Sequence, residues 1–326
     1  MLWHHAVATP ALEGLYAIVD VPHPHGLQPA EVTRAVLGDK LDGGQRGAAV
    51  VQLRAKDART EERVAWLRAM APACQEAGVP LFVNDDVDAA IETGVRGLHL
   101  GQDDPGADAV DELRGQRGDL MIGLSTHDLP QLRNALRQNP DYVAFGPVAA
   151  TRSKRNPDPV VGLGGLADAG RMSNRPLVAI GGLDADRASE AIRYGAAMAA
   201  VIGALVHPTV EQTRAAAIGV SAGLQAAARP LSLDEVAALI PVLDRDLLSD
   251  LAHWGDSLSV HLTLDLPARF APKVVDGVVT YRYCEVLDLL RSLGKRRSES
   301  WDEWKSRSAD EPEPDASVVQ LRRRSR

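Results

Sequence analysis

The sequence predicts an α/β chain: a (β/α)8 TIM barrel, then a C-terminal extension holding a small α+β appendage and a disordered tail. Eight short Val, Ile and Leu-rich runs alternate with segments of helical period, which is the arithmetic of a closed parallel barrel. The runs are apolar on both sides rather than alternating, as strands buried on both faces are. No G-x-G-x-x-G follows the first run, so the rival doubly wound open sheet lacks its usual signature.

The runs are LYAIVD (15–20), AVVQLRA (49–55), PLFVND (80–85), GLHLG (97–101), LMIGLST (120–126), YVAFGP (142–147), PLVAIGG (176–182) and MAAVIGAL (198–205). Between them, ERVAWLRAMAPACQEAG (62–78) and DADRASEAIRYGA (184–196) space apolar residues by three and four, with Gly at or near the last turn. An Ala-rich helix from near Thr209 towards Ala228 closes the barrel, and Pro230 breaks the pattern.

Beyond it, LSLDEVAALIPVLDRDLLSDLAHWG (231–255) reads as helical with a break at Pro241. SLSVHLTLDL (257–266) alternates like a strand, GVVTYRY (277–283) is a second strand, and CEVLDLLRSLG is a helix ending at Gly294. From Lys295 the composition turns charged and Pro/Ser-rich, too poor in apolar residues to order by itself, with Trp301 and Trp304 as a docking point or as incidental residues. The expected organisation is a lead-in (1–13), a barrel (14–229), an appendage of unknown role (230–294) and a disordered tail (295–326).

Composition narrows the function. A net charge of -8 argues against bulk nucleic-acid binding, and the basic RRRSR terminus reads as a solvated tail. Cys74 and Cys284 sit far apart with no ligand-spaced neighbours, so neither a zinc site nor a disulfide framework is indicated. The opening MLWHHAVATP has no basic leader and no later stretch is long and apolar enough for a membrane span, so a cytoplasmic protein with no membrane partner is expected.

In a barrel the C-terminal strand ends line the active site, so polar interruptions of the apolar runs carry the chemistry. Gln52, Arg54 and Lys56 stand at i, i+2 and i+4, on one face of the second strand, with Val51 and Leu53 on the other. Such a polar trio at a barrel mouth is costly unless it meets an anion. Asn84 and Asp85 end the third strand and Asp104 follows the fourth, placing carboxylates side by side to hold Mg2+ against a phosphate. Asp86 and Asp103 read as turn or helix caps.

The loop GPVAATRSKRNPDPVVGLGGL after the sixth strand offers Thr151, Ser153 and Lys154 to wrap a phosphate. Gly181 and Gly182 end the seventh strand, and Ile202 and Gly203 lie on the eighth, where backbone N–H groups hold phosphate in many barrels. The sum is a metal-plus-cation site for a diphosphate and a backbone site for a monophosphate. Ser125 lies between them to orient a ring substrate, while His127 either serves the site or caps the next helix.

VQLRAKD, LFVNDD, GLHLGQDD, GLSTHD, AFGPVAATRSK and VAIGGL occur in the order in which thiamine-phosphate synthases carry them, and roughly residues 14–215 resemble that family. The resemblance implies a transferase that joins 4-amino-2-methyl-5-hydroxymethylpyrimidine diphosphate to 4-methyl-5-(2-phosphoethyl)thiazole, releasing pyrophosphate. It implies that Gln52, Arg54, Lys56, Asn84 and Lys154 hold the pyrimidine diphosphate, with Arg54, Lys56 and Lys154 catalytic. Asp85 and Asp104 would bind Mg2+. Ser125, Thr151, Ser153, Gly181, Gly182, Ile202 and Gly203 would surround the pyrimidine, pyrophosphate or thiazole phosphate. Three positions depart from the family's habit: Ala55 for Glu, Ser153 for Thr and Gly203 for Ser. The alternatives are a thiazole tautomerase on the same barrel, which needs no diphosphate apparatus, and a catalytically inactive binding module.

Overall fold

The computed structural model describes residues 12–102, 104, 106–151, 158–232, 234–236, 273–275 and 278–294. Within them the chain divides into two compact units between Ala228 and Arg229.

The first unit is a closed eight-stranded parallel barrel in the order β1 to β8. Its repeats are β1 (Gly14–Asp20) and α1 (Pro29–Val36), β2 (Val50–Arg54) and α2 (Thr60–Glu76), β3 (Leu81–Asn84) and α3 (Val87–Thr93), β4 (Gly97–Leu100) and α4 (Val110–Gln116). They continue with β5 (Met121–Thr126) and α5 (Leu129–Arg137), β6 (Tyr142–Phe145) and α6 (Gly162–Met172), β7 (Leu177–Ile180) and α7 (Ala185–Arg193), β8 (Met198–Val201) and α8 (Val210–Ala228). Pairing of Leu15 with Ala199 and Tyr16 with Ala200 closes the ring.

Period two sorts each strand's residues between two cores. Val51 and Leu53 join Leu81, Val83, Leu98, Leu100 and the helices' apolar faces in the outer layer. Val50, Tyr16, Phe82, Met121 and Tyr142 fill the barrel interior with Val178 and Met198. A fully buried Leu or Phe contributes about 1.5–3 kcal/mol over its exposed state, so these layers supply the driving force that positions the rim. Inside the barrel, a β-carbon on Gly123 would lie 1.9 Å from the Tyr142 ring, so only glycine lets that tyrosine cross the lumen.

The second unit holds β9 (Leu231–Ser232), β10 (Lys273–Val275) and β11 (Val278–Tyr281), an antiparallel sheet in the order β10-β11-β9, followed by α9 (Tyr283–Gly294). The expected strand at 277–283 and helix to Gly294 are present as β11 and α9. One expectation is corrected: Leu231 and Ser232, read as helical, form a strand paired with Tyr281 and Thr280. Helix begins only after a reciprocal cap, in which Glu235 N–H donates to Ser232 Oγ at 3.3 Å and Ser232 N–H to Glu235 Oε2 at 2.8 Å. The expected strand at 257–266 and the disordered tail with Trp301 and Trp304 lie outside the described residues. Among the described residues no helix is long and apolar enough to cross a membrane.

Candidate active site

The C-terminal rim is assembled by strand register. Asp20 pairs with Arg54, Gln52 with Phe82, Asn84 with His99, and Ser125 with Ala144, so the polar ends of β1 to β5 stand around one opening. Arg54 Nη1 donates to Asp20 Oδ1 at 2.5 Å, tying the guanidinium to the end of β1. Lys56 lies just past β2, on a turn whose Ala55 and Lys56 carbonyls accept from Arg63 at 3.0, 2.8 and 3.1 Å.

The Asn84-Asp85-Asp86 step divides its labour. Asp86 caps α3, accepting from Ala89 N–H at 2.9 Å, and pairs with Arg63 at 3.0 Å. Asp85 takes a left-handed backbone, φ 65, which Asp tolerates better than bulkier residues. Burial, then the hydrogen bond and charge of Asp104, push the Asp85 carboxyl up to about 7, against the opposing pull of Lys56 and Arg54. Asp104 is itself held by the Gly101 N–H, which donates to its Oδ2 at 2.6 Å.

Two carboxyl groups in contact hold a shared proton more readily than isolated ones do, and a metal ion can take the place of that proton. Among the described residues no group of three or more His, Cys, Asp or Glu side chains is gathered around a metal position. A pair nevertheless fits Mg2+, which commonly takes one or two carboxylates and completes its shell with water and substrate phosphate.

Across the mouth, Gly181 and Gly182 adopt φ 96 and 66 against the segment that follows β6. A β-carbon at Gly182 would stand 2.4 Å from the Ala150 carbonyl oxygen, so the close approach requires glycine. Ala149 N–H donates to the Gly181 carbonyl at 3.0 Å, fastening the segment that follows β6 to the end of β7. Ile202 packs against the barrel interior, and Gly203 opens a 3-10 turn with open space at its β-carbon position, so the Ser of the family's habit would fit there.

Sequence reasoning thus placed Gln52, Arg54, Lys56, Asn84, Asp85, Asp104 and Ser125 at one end of the barrel. Ser153, Lys154 and Asp103 lie outside the described residues. His127 does not cap α5, because Asp128 accepts the Gln131 N–H at 2.7 Å; His127 Nδ1 instead sits 2.6 Å from the Gly146 carbonyl oxygen. Asp20, Tyr16, His99 and Tyr142 were missed. Asp20 ends its run as Asp85 does, a signal that was available; the other three sit inside apolar runs and betray themselves only by partners on distant strands.

The comparisons with known proteins bear on this rim directly. Residues 15–205 match the family model described as thiamine monophosphate synthase. The chain belongs to that family. A thiamine-phosphate synthase of Koribacter versatilis (strain Ellin345) is 37% identical over 195 residues, covering 60% of this chain and 90% of the relative. One from Chloroflexus aurantiacus is 35% identical over 192 residues, covering 59% of this chain and 84% of the relative. Among solved structures, a thiamine phosphate pyrophosphorylase from Pyrococcus furiosus superposes with a TM-score of 0.57 at 27% identity, covering 67% of this chain and 98% of that one. The thiamine monophosphate synthase match starts inside β1 and ends at the turn after β8, so it contains every rim residue and leaves the second unit outside.

Proposed function

We propose that this chain joins 4-amino-2-methyl-5-hydroxymethylpyrimidine diphosphate to 4-methyl-5-(2-phosphoethyl)thiazole, forming thiamine phosphate and pyrophosphate. The observation that carries the reading is the contact of the Asp85 and Asp104 carboxyls at a rim where the charges of Lys56 and Arg54 act on Asp85. A site for a single monophosphate has no use for paired carboxylates facing two cations, whereas a metal-bound diphosphate uses both.

In this reading Gln52, Arg54, Lys56, Asn84 and Lys154 hold the diphosphate, and Asp85 and Asp104 hold Mg2+. Bound there, the ion supplies charge neutralisation to the departing pyrophosphate. The bond from the exocyclic carbon to the diphosphate oxygen breaks with its electron pair leaving on oxygen. The thiazole nitrogen supplies the lone pair for the new carbon–nitrogen bond, so no general base is required. Arg54, tied to Asp20, is pre-aimed and loses little freedom when the leaving group gains charge. Ser125, Thr151, Ser153, the Gly181–Gly182 turn and the Ile202–Gly203 backbone surround the rings and the thiazole phosphate.

The test compares wild type with Lys154→Ala and Asp85→Ala. Both variants are expected to lose turnover of the two substrates while keeping the wild-type circular dichroism spectrum. Unchanged turnover in either variant contradicts the residue assignment.

A further inference from the structure

Six side chains form one hydrogen-bonded line through the barrel. Asn84 Oδ1 is 3.1 Å from Gln52 Nε2, and Gln52 Oε1 is 2.6 Å from the Tyr16 hydroxyl. Tyr16 OH is 2.8 Å from Tyr142 OH, Tyr142 OH is 2.8 Å from His99 Nδ1, and His99 Nε2 is 2.9 Å from Ser125 Oγ. The interior members are buried, Gln52 and Tyr16 at 2% exposure, Tyr142 at 0% and His99 at 6%, and the two ends are half-buried. The His99 and Tyr142 rings lie nearly parallel, 8° apart.

Each hydroxyl owns one proton, so the direction of one bond sets the direction of all the others. Gln52 turns its carbonyl to Tyr16 and its NH2 to Asn84. Tyr16 therefore donates to Gln52 and accepts from Tyr142. Tyr142, its proton given to Tyr16, accepts from His99, which must carry its proton on Nδ1. Its Nε2 is then an acceptor, and the Ser125 hydroxyl donates to it. The two ends are left with opposite characters: Asn84 keeps its NH2 for a ligand, and Ser125 keeps only lone pairs.

We propose that Tyr16, Tyr142 and His99 are positioning residues that relay hydrogen-bond polarity from the anion end of the site to the ring end. An anion at Asn84 needs the NH2 outward, and that orientation makes Ser125 Oγ an acceptor. The reversed line would turn the Asn84 oxygen towards the anion, a repulsive contact. Diphosphate recognition thus selects, at the far end, a ring that offers an N–H. This rests on the function proposed above, whose pyrimidine carries both a diphosphate and an exocyclic amino group.

Nitrogen-15 NMR of the full chain, with the His99 signals identified by their loss in His99→Gln, tests the relay without substrate. Wild type is expected to show His99 protonated on Nδ1 and bare on Nε2. Tyr16→Phe, nearly isosteric and two bonds away along the line, frees the Tyr142 proton for Nδ1 and is expected to move the His99 proton to Nε2. Gln52→Glu, which still accepts from Tyr16, is expected to leave it on Nδ1. An Nε2–H or doubly protonated ring in wild type, or an unmoved tautomer in Tyr16→Phe, overturns the proposal.

The kinetic arm is separate. Tyr16→Phe is expected to raise KM for the pyrimidine diphosphate about fivefold, the worth of one weakened hydrogen bond, with kcat nearly unchanged. A changed tautomer with an unchanged KM overturns the ligand-selection half. Inactive wild-type protein with the expected tautomer would instead count against the proposed reaction, not against the relay.

Discussion

Gly123 and Tyr142 face each other across the β5–β6 pair so closely that a β-carbon on the glycine would fall 1.9 Å from the tyrosine ring. Gly123→Ala is therefore an overpacking change in a filled barrel, expected to cost about 1–3 kcal/mol in urea unfolding. Because it displaces the ring that links Tyr16 to His99, it is also expected to lower kcat/KM more than a distant variant of equal instability. Retained stability and activity would show that the ring has another place to go.

Burial, and then the neighbouring Asp104, disfavour the charged form of Asp85, so an ionised Asp85 is expected to weigh against the folded state when no metal is bound. Asp85→Asn removes one charge. In EDTA at pH 8 it is expected to raise Tm by a few degrees, corresponding to about 1 kcal/mol. Added Mg2+ should stabilise wild type and leave the variant unmoved. A variant that melts lower in EDTA and still responds to Mg2+ would place the ion elsewhere.

Arg63 ties the turn bearing Lys56 to the cap of α3: its guanidinium meets the carbonyls of Ala55 and Lys56 and the Asp86 carboxylate. The Asp86 side chain is 7% exposed, so Arg63→Ala removes the cation paired with a buried carboxylate and is expected to cost about 3 kcal/mol. Freed of its clamp, Lys56 should hold diphosphate less well, seen as a raised KM in the surviving folded fraction. Full stability would mean that Thr60, which donates to Asp86 at 2.9 Å, suffices as its partner.

Burial pushes the Cys74 thiol up from 9.0 to about 12. The folded state therefore favours the neutral thiol, and its contribution is intact below the ordinary thiol range. Between pH 9 and 12 the unfolded chain ionises first, so stability falls as pH rises. Urea midpoints measured across that range should decline less steeply in Cys74→Ala. The same burial predicts that a thiol reagent leaves Cys74 unmodified until the barrel unfolds. Rapid labelling of the folded chain at that residue would contradict it.

How much of this was legible beforehand follows from what is local. The eight apolar runs announce eight strands because burial on both faces writes itself into every residue of a strand. Gln52 and Arg54 were visible because period two places them together on one strand face, and Asp86 because a cap precedes its own helix. Tyr16, His99 and Tyr142 read as core because their partners arrive by register from other strands, over separations of 26 to 126 residues. Leu231 and Ser232 failed for the same reason: β11, far along the chain, turns them into strand. Local pattern announces an element, but long-range pairing decides which polar atoms meet.

The most direct measurement follows pyrophosphate release by the full chain given the pyrimidine diphosphate, with and without the thiazole phosphate, in Mg2+ and in EDTA. Release matched one for one by thiamine phosphate, only with both substrates and Mg2+ present, is the expected result. Folded protein that releases no pyrophosphate, or releases it equally without Mg2+, would contradict the proposed reaction and the role assigned to Asp85 and Asp104.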